Sequence, residues 1–113
     1  MSKVLVLVPF ALDESQIAYR EAQTRTVSLR PDVTFHFKPV KAGPTSVASP
    51  HDWMLLDISL FEAGLNAEVD GFDAVVIDTV SDSGADGLRS MLDIPVLAPG
   101  RASLIFSLTL GRR

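Results

Sequence analysis

Cysteine is missing from this chain of 113 residues. Its absence excludes a disulfide framework, a thiolate nucleophile and a zinc site built on sulfur. A long apolar run is missing too. Val4–Val8 is five residues long and stops at Pro9, far short of the ~20 needed to span a bilayer. With only Lys3 before it, the run also lacks the length and the small-residue cleavage site of a signal peptide. The expected location is the cytoplasm, with no membrane partner. Basic surface is scarce: 10 Lys and Arg stand against 14 Asp and Glu, for a net charge of −4. Lys38 and Lys41 are isolated, and Arg112 and Arg113 are the end of the chain. Nucleic acid is therefore not an expected partner, because phosphate binding needs a basic stripe. No G-x-G-x-x-G or Walker A pattern occurs, so no nucleotide cofactor is expected. Ser81 lacks the Gly-x-Ser-x-Gly context of a hydrolase elbow. The two histidines, His36 in a strand and His51 in a first helical turn, have no second ligand at metal spacing. No metal site is expected.

What is present is a globular composition, 47% hydrophobic, without repeats or a low-complexity linker. Four short apolar, β-branched runs stand out: Val4–Val8, Val33–Val40, Ala74–Ile77 and Pro95–Leu97. The first and third are continuously apolar, as in strands covered on both faces. The second alternates (Val33, Phe35 and Phe37 against Thr34, His36 and Lys38), which predicts a strand nearer the sheet edge. Helical segments lie between the runs. Asp13 with Gln16 predicts a capping box opening a helix through about Leu29, stopped by Arg30-Pro31-Asp32. Ser49-Pro50-His51-Asp52 opens a second helix carrying Trp53, Leu56, Leu60 and Phe61, which weakens at Gly64. A third begins near Asp82 or Gly84 and sets Leu88, Met91 and Leu92 at i, i+3, i+4. A fourth spans about Arg101 to Leu110, ended by Gly111. Strand–helix alternation predicts an α/β fold: one flavodoxin-like, four-stranded parallel sheet, order 2-1-3-4, with helices on both faces, over residues 1–113. The last helix has almost no polar side: Ala102, Leu104, Ile105, Phe106, Leu108 and Leu110. A helix apolar all round is expected to be buried, here by another subunit or by a further half of a larger protein.

Ligands of open parallel sheets sit beyond the carboxyl ends of the strands. That selects the loops Pro9–Asp13, Ala42–Ser49, Asp78–Gly84 and Ala98–Arg101. The third is the most polar. Its hydroxyls and backbone N–H groups at a helix start suit an anion or carboxylate. The plainer reading of Ser81 or Asp82 is an N-cap. In the second loop, Gly43-Pro44 forces a turn and Thr45 and Ser46 can donate to a ligand, or simply form a surface turn.

The run Gly71-Phe72-Asp73-Ala74-Val75-Val76-Ile77, then Ser81-Asp82-Ser83-Gly84, then Leu92-Asp93-Ile94-Pro95-Val96 and Pro99-Gly100, resembles the aspartate/glutamate/hydantoin racemase superfamily. Gly43-Pro44-Thr45-Ser46-Val47 is similar to the Gly-Pro loop of its hydantoin racemases, and Val8-Pro9 fits the end of its first strand. The resemblance implies two similar flavodoxin-like domains with the active site between them, this chain corresponding to the N-terminal one. It implies cofactor-free racemisation, a cysteine from each domain moving the α-proton, and a carboxylate or imide held by backbone N–H groups and hydroxyls. The family's first cysteine follows the third strand as Ile-x-Cys, and Thr79 holds that position here. A threonine hydroxyl is not a thiolate base, though it can hydrogen-bond a carboxylate.

The expected function is thus racemase- or isomerase-type proton transfer next to the carboxylate or carbonyl of a small amino-acid-like or hydantoin-like substrate. Thr79 is the candidate at the catalytic position, and Pro9, Phe10, Ser46, Thr79, Val80 and Ser81 are the candidate substrate-binding residues. Expected partners are that small ligand and either a second copy, forming a homo-oligomer, or a C-terminal domain. Three alternatives stand beside this. One is a non-catalytic carboxylate-binding or dimerisation module. Another is a relative of the single-cysteine decarboxylases. The third is a receiver domain, which needs paired acids after the first strand; Asp13 and Glu14 lie five residues beyond it.

Overall fold

A computed structural model describes residues 1–111. The elements alternate as expected: β1 (Ser2–Val8), α1 (Glu14–Gln23), β2 (Val33–Pro39), α2 (Pro50–Gly64), β3 (Ala74–Ile77), α3 (Ala85–Met91), β4 (Val96–Leu97) and α4 (Pro99–Ser107), with a 3-10 turn at Thr24–Thr26. The sheet has four strands in the order β2-β1-β3-β4, and every pairing is parallel. β2 is an edge strand, which accounts for its alternating pattern.

Right-handed crossovers distribute the helices. Leu5 and Leu7 of β1 pair with Val75 and Ile77 of β3, and these side chains meet Leu56, Leu60 and Ala63 of α2 and Leu88 of α3 in one core. Gly64 permits the closest approach there, since a Cβ would lie 2.8 Å from Leu7 Cδ1. The β1–α1–β2 crossover has the same hand but runs along the sheet in the opposite direction, placing α1 on the opposite face. That face carries the buried Val4, Val6 and Val8 and the half-exposed Leu97.

Both predicted capping boxes form. Asp13 accepts from the Gln16 N–H at 2.9 Å while the Asp13 N–H donates to the Gln16 side chain. Ser49 and Asp52 do the same for α2. Several helix boundaries differ from expectation, α4 included, which ends at Ser107 rather than near Leu110. α1 ends at Gln23 rather than near Leu29, and Val27 is already extended. The Thr24 and Thr26 hydroxyls donate to the carbonyls of Glu21 and Gln23, a local competition that threonines offer to helix propagation. α3 starts at Ala85 with a left-handed Gly84 before it, and Leu92 lies just past its end, donating its N–H to Leu88.

The described chain leaves the last helix uncovered, in keeping with an apolar face whose burial was expected from outside this chain. Only Gly100 of α4 is buried, while Leu104, Ile105, Phe106, Leu108 and Leu110 are 61–77% exposed. α4 meets the rest of the described chain at its start, where Gly100 and Arg101 lie against Val80 and Asp82, and its apolar side chains beyond stay uncovered. It also begins two residues earlier than expected, at Pro99, whose fixed φ and missing N–H suit the first helical position. No helix among the described residues is long and apolar enough to cross a membrane.

Candidate functional site

All four candidate loops emerge at the carboxyl end of the sheet, because every strand is parallel to its neighbours. The β3–α3 loop is the most organised. Thr79 Oγ1 and Ser81 Oγ share a hydrogen bond of 2.9 Å, and Ser81 Oγ and Ser83 Oγ share one of 2.8 Å. The result is a row of three hydroxyls from a half-buried threonine to a buried serine. Such a row can present both donors and acceptors, since each hydroxyl turns to suit its neighbour.

Asp82 holds the loop in place. Its backbone is left-handed, φ 56°, the one non-glycine in that region among the described residues. This conformation, tolerated best by Asp, Asn and Gly, turns its side chain toward the neighbouring β4–α4 loop. There Oδ1 accepts from the Gly100 N–H and Oδ2 from the Arg101 N–H, both at 2.8 Å. Asp82 is therefore a helix cap, but of α4 and not of the helix that follows it in sequence. Ala98, at the N-cap position of α4, supplies no side-chain cap of its own. The carboxylate satisfies two orphan N–H groups and meets the positive end of the helix. The loops pack so closely that a Cβ on Gly100 would lie 2.0 Å from the Val80 carbonyl oxygen.

The start of the loop is tied to the other face. The Asp78 N–H donates to the Leu7 carbonyl, and Arg20 Nη1 of α1 meets Asp78 Oδ2 at 2.6 Å. At the far end, the Gly84 N–H donates to Asp57 Oδ1 of α2 at 2.9 Å. Thr79–Ser83 is thus anchored by α1, α2 and α4 at once.

The other candidate residues are less gathered. Pro9 is buried and Phe10 half-buried at the end of β1, between the β2 and β3 loops. Ser46 and Val80 are exposed. Among the described residues, no hydrogen bond joins Pro9, Phe10 or Ser46 to the Thr79–Ser83 loop. His36 is exposed on edge strand β2 with its ring edge-on to Phe72, and His51 is exposed beside Asp52. No group of three or more His, Cys, Asp or Glu able to hold a metal occurs among the described residues.

Two features escaped the sequence. One is the Arg20–Asp78 pair, 58 residues apart. The other is a cleft of about 700 Å³ beside the hydroxyl row, between α2 and the β3 and β4 loops. Trp53, Asp57 and Phe61 of α2 line it with Ser81, Asp82 and Arg101. The i, i+4, i+8 spacing of the three α2 residues sets them on one helical stripe, of which only Trp53 and Phe61 stood out in the sequence, as apolar residues of the second helix.

A family model described as Asp/Glu/Hydantoin racemase matches residues 18–113. No curated protein sequence matches the chain. Among solved structures, an allantoin racemase from Klebsiella pneumoniae superposes with a TM-score of 0.81 at 19% identity, over 96% of this chain and 44% of that one. Identity that low speaks for the fold. The chain spans less than half the length of that solved structure.

Proposed function

The chain belongs to the Asp/Glu/hydantoin racemase family, and from that premise we propose that it forms one wall of a racemase-type cleft. That wall holds a small carboxylate or hydantoin-like substrate for cofactor-free proton transfer next to its carbonyl. The observation that carries this is the row Thr79–Ser81–Ser83 at the carboxyl end of β3, a central strand. Hydroxyls and free N–H groups fixed before the ligand arrives stabilise a carboxylate, or the negative charge that develops on a carbonyl as its α-proton leaves. Thr79 stands where the family resemblance expects a thiol. Its hydroxyl is too weak an acid to provide a base near neutral pH, so its assigned role is to hold substrate. Pro9, Phe10, Ser46 and Val80 belong to the same wall in this proposal. The proton-transferring group comes from a facing wall, a second α/β half or a second copy, which the bare apolar surface of α4 suits.

The test is titration with small carboxylates and hydantoins, combined with α-hydrogen exchange in D2O followed by proton NMR. Replacing Thr79 by the near-isosteric valine removes one hydrogen bond to an anion and weakens binding about tenfold. Thr79→Cys places a thiol at the position and produces exchange that alkylation abolishes. Ligands that fail to bind, or that bind Thr79→Val as well as the parent chain, refute the proposal. The complete lack of cysteine favours a second reading, a non-catalytic carboxylate-binding module. Binding without exchange in the parent chain and in Thr79→Cys selects it.

A further inference from the structure

We infer that the cleft beside the hydroxyl row takes the substituent of the substrate, and that this substituent is an uncharged apolar or aromatic group rather than an acid. The inference rests on the function proposed above and names its substrate class. Three observations carry it.

The first is continuity. Ser81 and Ser83 belong both to the hydroxyl row and to the lining of the cleft. A ligand whose polar head meets Thr79 and Ser81 has its next group directed at the cleft. A volume of about 700 Å³ lies within the ~300–1,000 Å³ typical of small-molecule sites.

The second is the wall contributed by α2. Trp53, Ile58 and Phe61 face the cleft with apolar surface, and Trp53 and Ile58 remain 44% and 63% exposed. Large apolar side chains left open at the mouth of a cavity are surface that a ligand can cover. The planar walls of Trp53 and Phe61 suit a flat ring or a branched alkyl group.

The third is charge. Asp57, Asp82 and Asp86 line the cleft against one cation, Arg101. A carboxylate entering there meets a surplus of like charge. The fitting anion site, the first N–H groups of α4, is already filled. The Gly100 and Arg101 N–H groups, which a substrate carboxylate would otherwise attract, both donate to Asp82. Asp82 acts as a built-in carboxylate, excluding a second one from the ligand.

Trp53 is the single tryptophan of the chain, so its fluorescence reports the cleft directly. The experiment titrates the protein with 5-methyl-, 5-benzyl- and 5-(carboxymethyl)hydantoin, reading Trp53 emission alongside amide shifts of the β3–α3 loop by NMR. The benzyl compound is expected to bind at least about tenfold more tightly than the other two and to change Trp53 emission. Ile58→Asp, at an exposed position, is expected to remove that advantage, benzyl affinity falling to that of 5-methylhydantoin in the same variant. Carboxymethyl binding as tight as benzyl overturns the inference, as does a benzyl affinity indifferent to Ile58→Asp. So does Trp53 emission that shifts with protein concentration alone, which would assign the cleft to a second copy. If 5-methylhydantoin shifts the loop amides and benzyl brings no gain, the inference fails and the proposed function stands. If none of the three binds, both fail.

Discussion

Replacing Gly100 by alanine tests whether the β3 and β4 loops form one locked unit. The added Cβ would lie 2.0 Å from the Val80 oxygen and 2.8 Å from its carbonyl carbon, with Asp82 Oδ1 2.9 Å away. A comfortable carbon–oxygen contact is ~3.3 Å, so the loops must part by roughly 1.3 Å. Backbone meets backbone here, and no side-chain rotation relieves the clash. Parting the loops stretches the Asp82 bonds to the Gly100 and Arg101 N–H groups, both 2.8 Å, beyond hydrogen-bonding range. Each is a bond to a charged acceptor, contributing ~1.5 kcal/mol at the low end of the usual range because Asp82 is partly solvated. Alanine recovers ~0.5–1 kcal/mol through its better helix propensity. The expected net loss is ~2–2.5 kcal/mol, a large fraction of the ~5–15 kcal/mol that holds a domain together. Urea unfolding followed by Trp53 fluorescence measures it, with Asp82→Asn, which keeps one acceptor oxygen, falling about halfway. A Gly100→Ala loss below ~0.5 kcal/mol would refute the locked-loop account.

Two further predictions concern the core and the helix starts. Leu60, fully buried between α2 and the sheet, should cost ~2–5 kcal/mol when truncated to alanine, measured in the same unfolding assay; a loss under ~1 kcal/mol would show that the core packs differently. The Asp52 carboxyl is held below its ordinary value of 3.8 by the Ala48 N–H first, then by the Ser49 hydroxyl and His51. Asp13 is lowered likewise, by the Gln16 N–H and then the Ser15 hydroxyl. Because the folded-state values lie below the unfolded ones, this stabilisation is complete above the ordinary carboxylate value and disappears as the pH falls through the folded-state value. Thermal melts across that acidic range should lose stability less steeply in Asp52→Asn than in the parent, and equal slopes would exclude the capping carboxylate as a cause.

The local grammar of this chain was legible residue by residue. Asp13 with Gln16 and Ser49 with Asp52 announced two helix starts, and both capping boxes form. Continuous apolar runs marked β1 and β3 as the covered centre, and partial alternation marked β2 as an edge. Alternation of strand and helix, with right-handed crossovers, then leads to the order 2-1-3-4. Parallel strands in turn place Thr79 and its neighbours at one end of the sheet. These signals work because caps and periodicity depend on residues within a few positions of one another.

What only the tertiary structure decided depends on residues that crossovers bring together. Asp82 reads locally as a cap for the helix after it, yet its left-handed backbone turns it to α4, 18 residues on. Arg20 reaches Asp78 because α1 lies on the face opposite α2, a consequence of the direction in which each right-handed crossover runs along the sheet. Trp53 and Phe61 announce only an apolar helix side, because apolar helical spacing does not say how deep a side chain sits. The cleft exists because α2 stands beside two loops that lie far from it in sequence. The apolar run of α4 signalled a need for burial, and the tertiary structure shows that the described chain does not meet it. Composition specifies what a segment requires, and packing decides which neighbour is present to satisfy it.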